Sequence, residues 1–259
     1  MISITTAQLN ALLVAYFFPM ARILALLAVA PPFNNVGLSR RVRLILGLAI
    51  ALAIAPALPP PPISEPSSGI ALLILAQQII IGYAMGFVMR LVFSAVDLSG
   101  VIISNLMGLG FATAYDPEGA SQTPVVSEFF GVLALLTFLA INGHLMVIAT
   151  LVQSFSALPI GNAGLSSGSW LNVANAGALI FSSGVFLALP VTVALLITNI
   201  ALAILGRVAP QLNLMAIGFP ITIVLGFATI AVSLSYLSAP LQKMFEFGLN
   251  SMLGYFAIR

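Results

Sequence analysis

The sequence predicts an all-α membrane-type protein, and two observations carry that prediction. Apolar residues make up 61% of its 259 positions while charged residues make up only 5%, and the apolar residues fall in long continuous runs. A soluble domain carries about 25% charged residues and about 45–50% apolar ones. Eight basic and six acidic side chains could not cover the surface of a water-soluble monomer of this length. The mean hydropathy, +1.19, agrees. The chain has no cysteine, which excludes a disulfide scaffold, and its apolar content excludes a disordered chain. What remains is a polytopic membrane protein, or a subunit that buries its apolar surface against others.

Six apolar stretches are expected to be helices: 9–33, interrupted by Arg22; 44–58, which ends in the proline run 59–62; 70–96; 125–152; 173–205; and 212–247. Several exceed the roughly 20 residues needed to cross a hydrocarbon core, whereas 44–58 is short for a span. Only helices and closed barrels satisfy every backbone group in lipid, and continuous rather than alternating runs disfavour a barrel. Residues 1–10 show no basic leader and no A-x-A cleavage site, so the first helix is expected to be retained. Arg40, Arg41, Arg43, Arg90 and Arg207 fall on one side if the N-terminus is outside, and Lys243 and Arg259 on the other. The excess of basic residues in short cytoplasmic loops then predicts an N-out, C-out arrangement.

Segment 97–128 departs from this pattern. It holds four of the six acidic residues, Asp97, Asp116, Glu118 and Glu128, together with Gly100, Gly108, Gly110, Gly119 and Pro117. Its apolar part, 101–115, suits a re-entrant or buried element better than a span. Irregular backbone at membrane depth persists where protein covers it or where it lines a wet cavity. A pore-lining gate or plug and an ordinary connection between two helices both fit these residues. Met107 and Phe111 flank the glycines, and soft, bulky side chains suit the sealing of a pore.

Other features have simpler readings. Pro190 and Pro220 interrupt the fifth and sixth stretches. They lie 19 and 11 residues from a turn near Ala209, so their depths differ by roughly 12 Å at about 1.5 Å per residue. That offset argues against the paired broken helices of many secondary transporters. Gly82 and Gly86 form a small-xxx-small pair that reads as helix packing. Gly164-Leu165-Ser166-Ser167-Gly168 matches G-x-S-x-G, but it lies in a Gly/Ser/Asn loop and the only histidine is His144, so a flexible loop is the better account. One histidine and no cysteine cannot assemble a typical structural zinc site. His144, in Asn142-Gly143-His144, reads as a histidine hydrogen-bonded to a neighbouring helix, with a functional role as the alternative. Arg22 must face protein, a polar lumen or a carboxylate, because burying it alone in lipid costs at least about 2.5–3.5 kcal/mol. Asp97 and Glu128 are its candidate partners. No Walker motif, dinucleotide loop or basic nucleic-acid patch is present.

Several blocks in order complete the reading: Arg40-Arg41-Val42-Arg43; Met107-Gly108-Leu109-Gly110-Phe111-Ala112-Thr113 followed by Asp116-Pro117; Asn142-Gly143-His144-Leu145; Leu158-Pro159-Ile160-Gly161; Ala209-Pro210-Gln211-Leu212-Asn213; and Ile217-Gly218-Phe219-Pro220. Single blocks are weak, but the ordered set is specific. Together they resemble the FliR/SctT-like export-gate family of flagellar and, more distantly, virulence type III secretion, over nearly the whole chain. The tail after about Lys243 carries no such block.

That resemblance implies a noncatalytic core subunit, without metal or other cofactor, of a closed channel assembled with FliP-like and FliQ-like subunits, with one copy of this chain expected. It implies a FliP-like first part, 1–172, with the plug loop at 97–128, and a FliQ-like hairpin and tail, 173–259. The plug maps onto Met107, Gly108, Leu109, Gly110, Phe111, Ala112, Thr113, Tyr115 and Asp116. The hairpin tip at Arg207, Pro210, Gln211 and Asn213 is implied to face an FlhB-like partner, with an FlhA-like protein nearby. The implied cargo is unfolded flagellar protein, and the implied location is the bacterial inner membrane at the flagellar basal body. No nucleic-acid partner is implied. A small-solute secondary transporter is the competing reading, although no convincing inverted repeat is visible and Arg22 and His144 are its only central charged candidates.

Overall fold

A computed structural model describes residues 5–35, 37–59, 68–110, 124–161, 167–211 and 213–254. Among these the secondary structure is entirely helical: α1 (Thr6–Val29), α2 (Arg40–Ile54) with a 3₁₀ turn at Ala55–Ala57, α3 (Gly69–Leu106), α4 (Val125–Ala140), α5 (Gly143–Ala157), α6 (Ser167–Asn175), α7 (Ala178–Val208) and α8 (Leu214–Gly254). Among the described residues four helices are long and apolar enough to cross a membrane, or five when the broken pair α4 and α5 counts as one span. The expected all-α membrane-type architecture is therefore present.

Local chemistry sets most of the boundaries. α1 opens on a reciprocal capping box: Gln8 N–H donates to Thr5 Oγ1 at 3.3 Å, and Thr5 N–H donates to Gln8 Oε1 at 3.1 Å. Ser39 caps α2 by accepting from Val42 N–H. Glu128 lies in the first turn of α4, and Arg207 in the last turn of α7. Each sits at the helix end whose partial charge it complements.

Several expected stretches differ from the helices formed; the fifth, for example, is broken at 176–177 between α6 and α7. The third does not end near Val96: α3 continues through Asp97 and Gly100 to Leu106. The fourth is two helices, because Asn142 takes a left-handed φ of 58° between α4 and α5, a conformation that asparagine tolerates better than most residues. The second is as short as expected, a helix of 15 residues, but it starts earlier, at Arg40. Pro19 and Pro240, in addition to Pro190 and Pro220, lie inside helices that continue through them.

The chain divides into two compact units. The first comprises 1–91, 142–176 and 245–259, and the second 92–141 and 177–244. In the first, α1 is the packing centre. Gly47 of α2 lies against Leu24 and Leu27. Gly82 of α3 lies on the Arg22 carbonyl and Ala25, and a Cβ on Gly86 would come 2.9 Å from the Leu26 carbonyl. The Gly82/Gly86 pair thus brings two backbones together, as small-xxx-small pairs do. Phe18, Ile23, Leu27, Met85, Leu151 and Phe155 fill this core.

In the second unit, the C-terminal part of α3 packs on α4, α7 and α8. Gly100 abuts the Ser127 backbone, Gly184 lies 2.8 Å (as a Cβ would measure it) from the Ala95 carbonyl, and Phe93 meets Phe138 edge-to-face at 5.5 Å. Large apolar side chains on α7 and α8, such as Phe181, Ile197, Val224 and Tyr236, are exposed. α3, α7 and α8 have 38, 31 and 41 residues, hence lengths of about 57, 46 and 61 Å. Each exceeds a hydrocarbon core of about 30 Å.

Candidate functional site

The element that leads into 111–123 is the C-terminal end of α3. A helix leaves its last four carbonyls without intrahelical donors, and here all four are accounted for. Leu109 N–H donates to Ser104 O at 3.0 Å and Gly108 N–H to Asn105 O at 3.1 Å. That pair of bonds, with Gly108 at φ +81°, is a Schellman termination that glycine alone adopts without a Cβ penalty. The other two carbonyls are reached from α7 and α8. Asn199 Nδ2 donates to Leu106 O at 3.5 Å, and the single proton of Thr222 Oγ1 is shared between Met107 O at 3.1 Å and Phe219 O, one turn back on α8, at 3.0 Å.

Side-chain packing reinforces the same junction. Met107 is fully buried, and its thioether fills the space over Gly226, where a Cβ would lie 2.6–2.7 Å from the Met107 Cγ, Sδ and Cε. The Phe219 ring covers Gly108, 2.6 Å from the place of a Cβ. Residues 106–108 are thus gripped by four side-chain or backbone features of the α7–α8 hairpin. Changing Thr222 to valine keeps the shape but leaves the buried Met107 carbonyl without its donor. A loss of about 1–3 kcal/mol is expected, read as faster amide hydrogen exchange confined to 104–110.

A second polar centre lies in the first unit. Arg22 of α1 has no solvent exposure. Its Nε donates to Gln78 Oε1 of α3 at 2.8 Å, Nη1 to Ser154 O at 2.9 Å and to Ser154 Oγ at 3.1 Å, and Nη2 to Leu158 O at 2.8 Å. Its Cζ stands 4.3 Å above the Phe155 ring, within reach of a cation–π contact. The candidate carboxylates Asp97 and Glu128 belong to the other unit. In their place are neutral acceptors, two of them carbonyls at the C-terminal end of α5, where the helix dipole is negative.

The remaining predicted residues divide as follows. Met107, Gly108, Leu109 and Gly110 are described, and the first two are brought together with Phe219, Thr222 and Gly226. Phe111, Ala112, Thr113, Tyr115 and Asp116 lie outside the described residues, as do Gly164, Leu165 and Ser166 of the G-x-S-x-G match. Arg207, Pro210, Gln211 and Asn213 are exposed around the α7–α8 connection. His144 opens α5 half-buried, and its Nδ1 is buried without a hydrogen-bond partner, so the expected bond to a neighbouring helix is not formed at that nitrogen. Among the described residues no cluster of His, Cys, Asp or Glu could hold a metal ion. Sequence reasoning missed Gln78, Ser154, Asn199 and Thr222. Their signal was available, since each is a polar residue inside an apolar helix, where polar side chains act between helices.

Comparison with known proteins converges on one group. The flagellar biosynthetic protein FliR of Escherichia coli (strain K12) is 42% identical over 246 residues, covering 95% of this chain and 94% of that protein. That of Pectobacterium carotovorum subsp. carotovorum is 43% identical over 233 residues, 89% of this chain and 88% of that protein. That of Buchnera aphidicola subsp. Acyrthosiphon pisum is 32% identical over 257 residues, 98% and 99% of the two chains. The model of the family described as bacterial export proteins, family 1, matches residues 13–248, and the chain belongs to that family.

Proposed function

We propose that this chain is a noncatalytic core subunit of the flagellar type III protein export gate, forming with FliP-like and FliQ-like subunits the closed channel through which unfolded flagellar proteins leave. Family membership and flagellar relatives support the export role. The observation that carries the finer reading is the end of α3. Its four terminal carbonyls all have donors, two of them on the α7–α8 hairpin, which supports a reading in which 106–109 anchor a plug.

In this reading 107–116 is the plug, and its parts differ in role. Met107 is buried against Gly226, so it anchors. Phe111 and Tyr115 supply the bulk that excludes water and ions. The assignment of 1–172 as FliP-like and 173–259 as FliQ-like belongs to the same proposal, as do the facing of Arg207, Pro210, Gln211 and Asn213 toward an FlhB-like partner, a neighbouring FlhA-like protein, and the inner-membrane basal body. Helices longer than a bilayer is thick, with apolar residues exposed along them, suit a subunit whose apolar surface is covered by other subunits as well as by lipid. The chain has no nucleotide-binding motif, so its partners would supply the driving energy.

The test is deletion of 111–115 from the assembled gate, which leaves the α3 anchor intact. Ion leakage across the membrane is expected to rise. Unchanged leakage with normal assembly would remove the plug assignment, and solute uptake by the chain alone in vesicles would favour the transporter reading.

A further inference from the structure

α2 is too short to cross a bilayer, yet it presents an apolar face to the outside. Its 15 residues span about 22 Å. Gly47 and Ala51 are buried, with Gly47 set against α1. On another side Leu44, Ile45, Leu48 and Leu52 are 48–68% exposed. At 100° per residue these four fall within one stripe about 100° wide, and Arg41 heads the same stripe. Arg40 and Arg41 are both exposed, whereas Arg43 is tied to the Phe33 carbonyl at 3.1 Å. The first turn holds no acidic residue, so three guanidiniums share the positive end of a helix dipole, an arrangement that is unfavourable without an anionic counterpart.

From Arg41 to Leu52 the stripe is about 16 Å long, close to one leaflet of a hydrocarbon core of about 30 Å. Two exposed cations at one end of an apolar strip one leaflet long match the shape and charge of a phospholipid with an anionic headgroup. A soluble anion would leave the strip uncovered, and an apolar helix would leave the arginines unmatched. We infer that α2 is a lipid-binding face: Arg40 and Arg41 hold the phosphate of an anionic phospholipid, and its acyl chains lie along Leu44, Ile45, Leu48 and Leu52. Planar guanidinium forks suit bidentate phosphate contact, so lysines at these positions would retain attraction but less selectivity.

The assembled complex containing the full chain is reconstituted into nanodiscs of phosphatidylglycerol and phosphatidylcholine, and the lipid that it retains is counted by native mass spectrometry. The wild type is expected to retain phosphatidylglycerol preferentially. Each of Arg40→Gln and Arg41→Gln is expected to lower that preference about fivefold, since a basic residue near an anionic leaflet contributes about that factor. The Arg40→Lys/Arg41→Lys pair should keep part of it. Crosslinking of a photoactivatable phosphatidylglycerol to 40–52 should fall with the glutamine pair. No preference in the wild type, or equal retention by the glutamine variants, overturns the proposal. So does loss of a partner subunit from the glutamine variants with lipid retention unchanged, which would make the face a protein contact.

Discussion

Replacing Arg22 with methionine is expected to destabilise the protein by about 3–5 kcal/mol, and the reason lies in which acceptors lose the one donor they have among the described residues. Ser154 O also receives Leu158 N–H at 2.9 Å, and Ser154 Oγ itself donates to Leu151 O at 2.6 Å. Both remain satisfied without Arg22. Gln78 Oε1 and Leu158 O do not, and a buried group left unpaired costs about 1–3 kcal/mol. The cation–π contact with Phe155 adds about another 1 kcal/mol or more in a desolvated site. Arg22→Lys should fall between, because an ammonium cannot reach acceptors on α3 and α5 in the fixed fork that a guanidinium provides. Adding Gln78→Leu to the methionine variant should recover about 1–2 kcal/mol, because it removes one orphan. That side chain already has an unbonded Nε2 in the wild type. The measurement is the fraction of protein that stays monodisperse after heating in detergent. Indistinguishable curves for wild type and Arg22→Met would show that the network contributes nothing net, as some buried ionic networks do.

Arg22 also shows where hydropathy reading stops. An arginine inside an apolar stretch could be recognised as buried and bonded. Its partners could not, since a guanidinium suggests a carboxylate, whereas two of the four actual acceptors are backbone carbonyls at a helix end, which carry no sequence signature, and the other two are neutral side-chain oxygens. The same limit explains the boundaries. Gly100 is one of the glycines that set segment 97–128 apart from a simple span. It is instead a contact point where the Ser127 backbone needs the room of an absent Cβ, so α3 passes through it. Conversely, the stretch 125–152 looked continuous because its composition is, while Asn142-Gly143 carried a turn signal that averaging over a run hides. The glycine-rich departure after Leu106 was legible as a departure. That Met107 faces inward and Thr222 supplies its donor was not, because those contacts join residues more than a hundred positions apart.

At Gly108 two separate penalties meet, and the expected result of Gly108→Ala is a loosened end of α3. The first penalty is conformational: an L-residue at φ +81° costs about 1–2 kcal/mol. The second is steric, because the new Cβ would stand 2.6 Å from the Phe219 ring. The ring can swing aside, but only by giving up the contact that holds α3 to the hairpin. The two can be separated by a double-mutant cycle. In a Phe219→Ala background the same substitution should show the conformational part alone, so the coupling between the sites is positive and of the order of the clash. Gly108→Asn offers a second separation, because asparagine tolerates the left-handed region better than alanine but brings a larger side chain toward Phe219. Hydrogen exchange at Gly108 and Leu109 reads the outcome directly, since their N–H groups close onto Asn105 and Ser104. If the anchor positions a plug, Gly108→Ala should also raise ion leakage through the assembled gate, and Gly108→Ala with Phe219→Ala should not restore it, because both variants have lost the grip on α3. Faster exchange with unchanged leakage would mean that this junction stabilises the chain and does not position a plug.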